Sequence, residues 1–121
     1  MPRLGLAVSG GPDSLALLLL AQQAMPGRIA AATVDHRLRP ESAAEAAFVA
    51  GICASQSIPH HILTPYQPIT GNVQSAAREM RYRLLKDWAD AQGMPFIATA
   101  HHANDQLETL LMRLARGSGL S

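Results

Sequence analysis

The sequence predicts an α/β domain in which a parallel β-sheet is covered by helices on both faces. Short apolar stretches without polar alternation recur along the chain, which is typical of strands buried on both faces. A helical stretch follows each of them, so the predicted order is βαβαβαβα. Polar residues cluster where the apolar stretches end, and open parallel sheets bind ligands at that edge.

The first half of the chain contains two strand–helix pairs. Residues 4–8 form the first strand, and the leucine-rich helix 14–24 follows it until Pro26 and Gly27 break the helix. The second strand is predicted at residues 29–34. Pro40 suits the first turn of the next helix, which extends to about residue 57.

The second half repeats this pattern. The third strand is predicted at residues 59–63, and Asn72 caps a long amphipathic helix that Gly93 ends. The fourth strand is predicted at residues 95–100 and a fourth helix at about 104–116. The predicted helices therefore cover both faces of the sheet.

Composition limits the function classes. The 121 residues suit one domain, and 48% hydrophobic against 16% charged residues supports a real core. The net charge of +1 does not by itself indicate a nucleic-acid partner. Cys53 is the single cysteine, which excludes a disulfide framework and a Cys-x-x-Cys site in this chain, and its apolar surroundings predict burial. No apolar run approaches the roughly 20 residues of a membrane span.

The segment Ser9-Gly10-Gly11-Pro12-Asp13-Ser14 joins the first strand to the first helix and predicts a phosphate site. Gly10 and Gly11 permit positive φ and a close backbone approach. Loop N–H groups, the helix dipole and the two serine hydroxyls all favour an anion. A Walker A loop would carry Lys where this chain has Asp13, and the dinucleotide fingerprint Gly-x-Gly-x-x-Gly is absent.

Carboxylates near this loop predict a cation. Asp13 repels phosphates unless Mg²⁺ lies between them, although it also suits the helix dipole. Asp105 and Glu108, at the predicted start of the fourth helix, supply acidic groups across the cleft, so Asp13 and Asp105 are the expected Mg²⁺ ligands. Helix capping and a zinc site that includes His102 are the alternatives, but the spacing matches no zinc motif.

The glycine loop resembles the PP-loop of the N-type ATP pyrophosphatases, which cleave ATP between the α and β phosphates. Further stretches resemble one family of that group, the tRNA(Ile)-lysidine synthases. They read Val-Asp-His-Arg-Leu-Arg-Pro at 34–40, Ala-Arg-Glu-Met-Arg-Tyr at 77–82 and His-His-Ala-Asn-Asp-Gln-Leu-Glu-Thr at 101–109. Glu45 falls in the helix after the second strand, as in that family. Thiolating relatives more often show Asp at the position of Gln106.

The resemblance implies a Rossmann-like, adenine nucleotide alpha hydrolase-like fold and an ATP-dependent ligase that forms a carbon–nitrogen bond. The family adenylates C2 of the wobble cytidine of tRNA(Ile) with a CAU anticodon, and free L-lysine then displaces AMP to give lysidine. The implied setting is cytoplasmic, without a membrane, and a homodimer of the full-length protein is compatible with it. Residues 1–121 are expected to be the catalytic domain, truncated before its last strand, without the C-terminal tRNA-binding domains.

The resemblance also implies roles for individual residues. The expected catalytic and Mg²⁺-binding residues are Asp13 and Asp105. The expected ATP-binding residues are Ser9, Gly10, Gly11, Pro12, Asp13, Ser14, His36 and Arg78. The expected contacts with tRNA or another substrate come from Arg39, Arg81, His102 and Glu108.

Two alternatives stay open from the residues alone. A tRNA thiolase of the same fold usually needs more cysteines than Cys53. A non-catalytic adenine-nucleotide-binding module would not need the acidic group at Asp105. His60 and His61, which start the third strand, are expected at the surface or the sheet edge without a partner.

Overall fold

The computed structural model describes residues 3–67, 73–103, 106–115 and 119–120, and side chains within 3–67 and 74–100. The helices are α1 (Pro12–Ala24), α2 (Pro40–Ser55) and α3 (Val73–Gln92). The strands are β1 (Leu4–Ala7), β2 (Ile29–Val34), β3 (His60–Leu63), β4 (Phe96–Ala103), β5 (Gln106–Ala115) and β6 (Gly119–Leu120). They form one sheet in the order β3-β2-β1-β4-β5-β6.

The first four strands confirm the predicted parallel sheet. β1 lies between β2 and β4, and both pairings are parallel, as is that of β2 with β3. Pro40 occupies the first helical position of α2, as predicted, whereas α1 starts at Pro12, two residues before the predicted start at residue 14. Gly27 and Gly93, at φ +78° and +69°, reverse the chain after α1 and α3, a conformation that glycine adopts without strain.

The predicted fourth helix is wrong. Residues 106–115 form the strand β5, which pairs antiparallel with β4 from Ala103↔Gln106 to Phe96↔Arg113. Leu107, Leu110 and Leu114 are spaced as on a helix, but β4 would otherwise present an unpaired edge of N–H and C=O groups. The adjoining segment satisfies that edge, so a tertiary pairing overrides local helix propensity.

Two apolar layers cover the sheet, as predicted. On one face, strand residues such as Leu6 and Ile29 pack against Leu18 of α1 and Val49 of α2. Cys53 belongs to this layer and is fully buried, which confirms its expected core role. On the other face, alternate strand residues pack against α3 through the buried side chains of Leu85, Trp88 and Ala89. Alternation along each strand separates the two layers.

His60 and His61 lie on the edge strand β3, as predicted, but the expectation that they lack partners is wrong. The His60 Nε2 atom lies 2.9 Å from Thr33 Oγ1 of the neighbouring strand. The Trp88 indole N–H donates to His61 Nδ1 at 3.2 Å. His60 therefore links the edge strand to β2, and His61 links it to α3.

Candidate functional site

A cavity of about 440 Å³ opens at the carboxyl ends of β1, β2 and β4. The chain leaves β1 towards β2 and β3 on one side and returns to β4 on the other. This reversal of direction is the topological switch point at which open α/β sheets bind ligands. Val8 and Ser9 line the cavity after β1, Thr33 and Val34 line it from β2, and Thr99 lines it from β4.

The glycine loop lies beside this cavity and is held by its own hydroxyl groups. The Ser9 backbone N–H donates to the buried Ser14 Oγ at 2.8 Å, and the Gly11 N–H donates to Ser9 Oγ at 3.4 Å. Pro12 starts α1 directly afterwards, so the positive end of the helix dipole faces the loop. Ser9 and Ser14 line the cavity, which places the predicted anion loop where a ligand can reach it.

Gly10 is held by a side chain from another element. Its N–H donates to Glu45 Oε1 on α2 at 2.7 Å. A Cβ at position 10 would lie 2.5 Å from Glu45 Cγ, a separation that no relaxed structure tolerates. Gly10 and Gly11 permit positive φ, but among the described glycines positive φ occurs at positions 27 and 93. Close approach, here to a carboxylate side chain, is what requires glycine at position 10.

The turn after β2 positions His36 against the cavity. The buried Asp35 accepts the Arg37 N–H on Oδ1 at 3.0 Å, and Arg37 adopts a left-handed φ of 60°. His36 Nδ1 accepts the Leu38 N–H at 3.2 Å, so the neutral ring carries its proton on Nε2. The Ser42 hydroxyl lies 3.4 Å from that Nε2. These bonds fix the imidazole that was predicted to lie near a nucleotide.

Three arginines give the cavity its positive charge. Arg39 comes from the start of α2, and Arg78 and Arg81 come from α3, three residues apart on one helix face. Glu45 is the acidic residue among those that line the cavity. Arg81 is largely exposed as a residue, yet surrounding protein desolvates its guanidinium and lowers its pKa. Arginine nonetheless stays protonated, so the cavity attracts anions.

The structure thus brings six of the thirteen predicted site residues together in one cavity. Ser9, Ser14, His36 and the three arginines share one cavity. Asp13 is partly buried in the first turn of α1 and is not among the lining residues.

The acidic group predicted across the cleft lies mostly outside the described residues. Asp105 is one of the residues left undescribed, as are the side chains of His102 and Glu108. The backbone of Glu108 pairs with His101 between β4 and β5. The pairing of Asp13 with Asp105 around a metal therefore stays a prediction.

The profile of the PP-loop domain family matches residues 1–121. The chain belongs to the PP-loop domain family. Named relatives agree with this assignment. The chain is 55% identical over 118 residues to a tRNA(Ile)-lysidine synthase of Novosphingobium aromaticivorans, and 54% identical over 121 residues to one of Zymomonas mobilis. Each match covers 98% of this chain but 36% of the relative, so the chain spans about a third of their length.

Solved structures support the fold of this PP-loop domain. A U34-tRNA thiolase from Methanococcus maripaludis superimposes with a TM-score of 0.72 over 86% of this chain and 40% of that one, at 18% identity. An NH3-dependent NAD synthetase from Campylobacter jejuni gives 0.60 over 78% of this chain and 45% of that one, at 19% identity. At such identities the likeness concerns the fold alone.

Sequence reasoning missed the site role of two α2 residues in this PP-loop domain. Ser42 reaches His36, and Glu45, noted only for its position in a family pattern, binds the glycine loop. A signal was present, because the buried stripe of α2 runs through Ser42, Ala46, Val49 and Cys53. Glu45 borders that stripe, and an acidic residue at the margin of a buried face near strand ends indicates a polar partner.

Two further properties concern the part of the chain that the structure describes. There, no three histidine, cysteine or acidic side chains gather as a metal cage. No helix in the same ranges is long and apolar enough to cross a membrane.

Proposed function

We propose that this PP-loop domain binds ATP in the cavity and transfers AMP to a tRNA base, as the N-terminal part of a lysidine synthase. One observation carries the proposal: the two serines of the glycine loop, Ser9 and Ser14, line a single cavity together with three arginines at the switch point of the sheet. The names of the relatives, which are 54% and 55% identical to this chain, supply the substrate class.

The nucleotide would lie with its phosphates between the loop and α3. Arg78 and Arg81 present guanidinium groups suited to phosphate oxygens, and Ser9 and Ser14 present hydroxyl groups. The cavity volume of about 440 Å³ falls within the usual range for small-molecule sites. His36, fixed by Leu38, would face the ribose or adenine.

The residues present fit Mg²⁺ delivered together with the nucleotide. Among the described residues, no three side chains form a metal cage. Mg²⁺ needs none, because it usually binds through one or two carboxylates plus substrate phosphates. Glu45 provides a carboxylate in the cavity, Asp13 lies in the adjoining helix turn, and we propose Asp105 as a further ligand. Bound there, the ion would neutralise charge on the leaving pyrophosphate.

In the proposed reaction, the C2 oxygen of the wobble cytidine attacks the α-phosphorus of ATP and pyrophosphate leaves. The ε-amino group of free L-lysine then attacks C2, loses a proton, and AMP departs with the oxygen. The part of this chain would be to bind the triphosphate, orient it by the loop and arginines, and stabilise the charge that builds on pyrophosphate. Arg39, His102 and Glu108 would contact tRNA or lysine.

A cytoplasmic location follows from these substrates and belongs to the same proposal. The C-terminal tRNA-binding part and a homodimer of the full-length protein remain predictions.

The decisive experiment incubates full-length protein with ATP, labelled lysine and unmodified tRNA(Ile). Lysine incorporation with stoichiometric AMP release is expected, and Asp13→Asn and Asp105→Asn should each reduce AMP formation. Intact AMP formation in both variants would refute their catalytic role. Labelled sulfur transfer would instead indicate a thiolase. Cys53 does not favour that outcome, because burial raises the pKa of its thiol to about 11 and keeps it protonated.

A further inference from the structure

A carboxylate of the protein itself, that of Glu45, contacts the glycine loop. Glu45 Oε1 accepts the Gly10 N–H at 2.7 Å, within the short range of charge-assisted bonds. The rest of the side chain packs against the glycine, since Glu45 Cγ would lie only 2.5 Å from a Cβ at Gly10. Glu45 also lines the cavity with Arg39, Arg78 and Arg81. A carboxylate therefore sits among the groups that would bind an anion.

This carboxylate and a nucleotide phosphate compete for the same place. The Gly10 N–H has one hydrogen, which Glu45 already accepts. A phosphate oxygen that takes this donor must displace the carboxylate, and one that binds beside it meets a like charge. At about 4 Å, such repulsion weakens binding by at least about fivefold even in water, and by more in a partly enclosed cavity. The arginines strengthen the binding of the phosphate, but the carboxylate of Glu45 still occupies the Gly10 N–H and still repels the phosphate.

We propose that Glu45 makes nucleotide binding at this loop conditional on a divalent cation. A cation that arrives with the phosphates cancels the repulsion and offers the carboxylate a new partner, since Mg²⁺ takes carboxylate and phosphate oxygens together. Glu45 then selects the cation-complexed nucleotide over the free one. This inference rests on the proposed ATP site and assigns a specificity role to a residue of α2.

The test measures ATP affinity of the full-length protein by calorimetry, once with Mg²⁺ and once with EDTA. Glu45→Gln keeps a hydrogen-bond acceptor for Gly10 but removes the charge. In EDTA we expect it to bind ATP at least about fivefold more tightly than the wild type, so that the affinity ratio between Mg²⁺ and EDTA shrinks. Glu41→Gln is the matched control, since Glu41 is an exposed acid on the same helix.

A ligand series separates charge from structure. The gain in EDTA should grow from AMP to ADP to ATP and vanish for adenosine, whereas a general change in the fold would affect adenosine too. Glu45→Asp, which keeps the charge, should keep the wild-type dependence on Mg²⁺, and it remains informative if Glu45→Gln melts early.

The two proposals can fail separately. Unchanged or weaker ATP binding by Glu45→Gln in EDTA, beside a wild type that binds Mg²⁺–ATP, overturns only the inference on Glu45. A wild type that binds no ATP in either buffer overturns the proposed function and this inference with it.

Discussion

The two faces of the sheet contribute different kinds of groups to one cavity. The face covered by α1 and α2 supplies the glycine loop and Glu45, which hydrogen bonds of 2.7–3.4 Å hold in place. The face covered by α3 supplies Arg78 and Arg81, whose charges sit on long side chains of exposed residues. In the proposed ATP site, the first face would therefore define where a phosphate binds, and the second would adapt to it.

In the face covered by α1 and α2, the largest loss of ATP affinity is expected for Gly10→Ala. The new Cβ would collide with Glu45 Cγ, so the loop and the Glu45 side chain must move apart, and ATP affinity should fall by up to about 100-fold, the upper end of overpacking costs. Gly11→Ala should lose much less, because the nearest atom to its Cβ is Ser9 Oγ at 3.6 Å. Titration calorimetry on both variants gives the comparison. Adding Glu45→Ala to Gly10→Ala should restore affinity; failure to do so would contradict the collision as the cause.

Arg81→Ala tests the second face and should weaken ATP binding by about tenfold, the scale of one hydrogen bond to a charged group. Arg81→Lys should recover part of that loss, since lysine keeps the charge but not the planar fork. Arg83→Ala is the control, because Arg83 lies on α3 but does not line the cavity. Equal losses in Arg81→Ala and Arg83→Ala would mean that the helix acts only through its overall charge.

Gly5→Ala should affect stability rather than binding. A Cβ on Gly5 would lie 3.1 Å from the Trp88 ring and 3.2 Å from Met94, beneath α3. Overpacking there should lower the free energy of unfolding by about 1–3 kcal/mol, as measured by urea denaturation. Gly51→Ala on α2 should instead raise the free energy of unfolding by about 0.5–1 kcal/mol, because its Cβ meets open space within a helix. Destabilisation by both would point to a general intolerance of side chains.

The smallest effect is expected at the sheet edge. Burial, helped by the positive charge of His61, lowers the pKa of His60 below 6.5. The unfolded chain therefore takes up the proton first as the pH falls, and stability decreases from about pH 6.5 down to the folded-state pKa. In His60→Gln, the denaturation midpoint should change less with pH across that window. An unchanged pH slope would assign the effect to another group.

Local sequence determined most of the first hundred residues. Apolar runs without alternation predicted β1 and β2 to within one residue, because strands buried on both faces need no polar side chains, while β4 extends three residues beyond its predicted end. Proline at position 40 and glycine at 27 and 93 marked helix boundaries, since each acts through its own backbone geometry. The order of polar clusters then predicted one edge, and the structure places Ser9, His36 and Arg39 there.

Tertiary structure alone decided the rest. Residues 106–115 carry leucines at helical spacing, yet they pair with β4 because an open sheet edge offers hydrogen bonds that no local pattern encodes. Likewise, nothing near Gly10 shows why it must be glycine. The reason is Glu45, 35 residues away, whose carboxylate reaches the loop only once α2 packs on the same face as α1. The sequence predicted a phosphate loop, and packing across that distance brings the Glu45 carboxylate onto it.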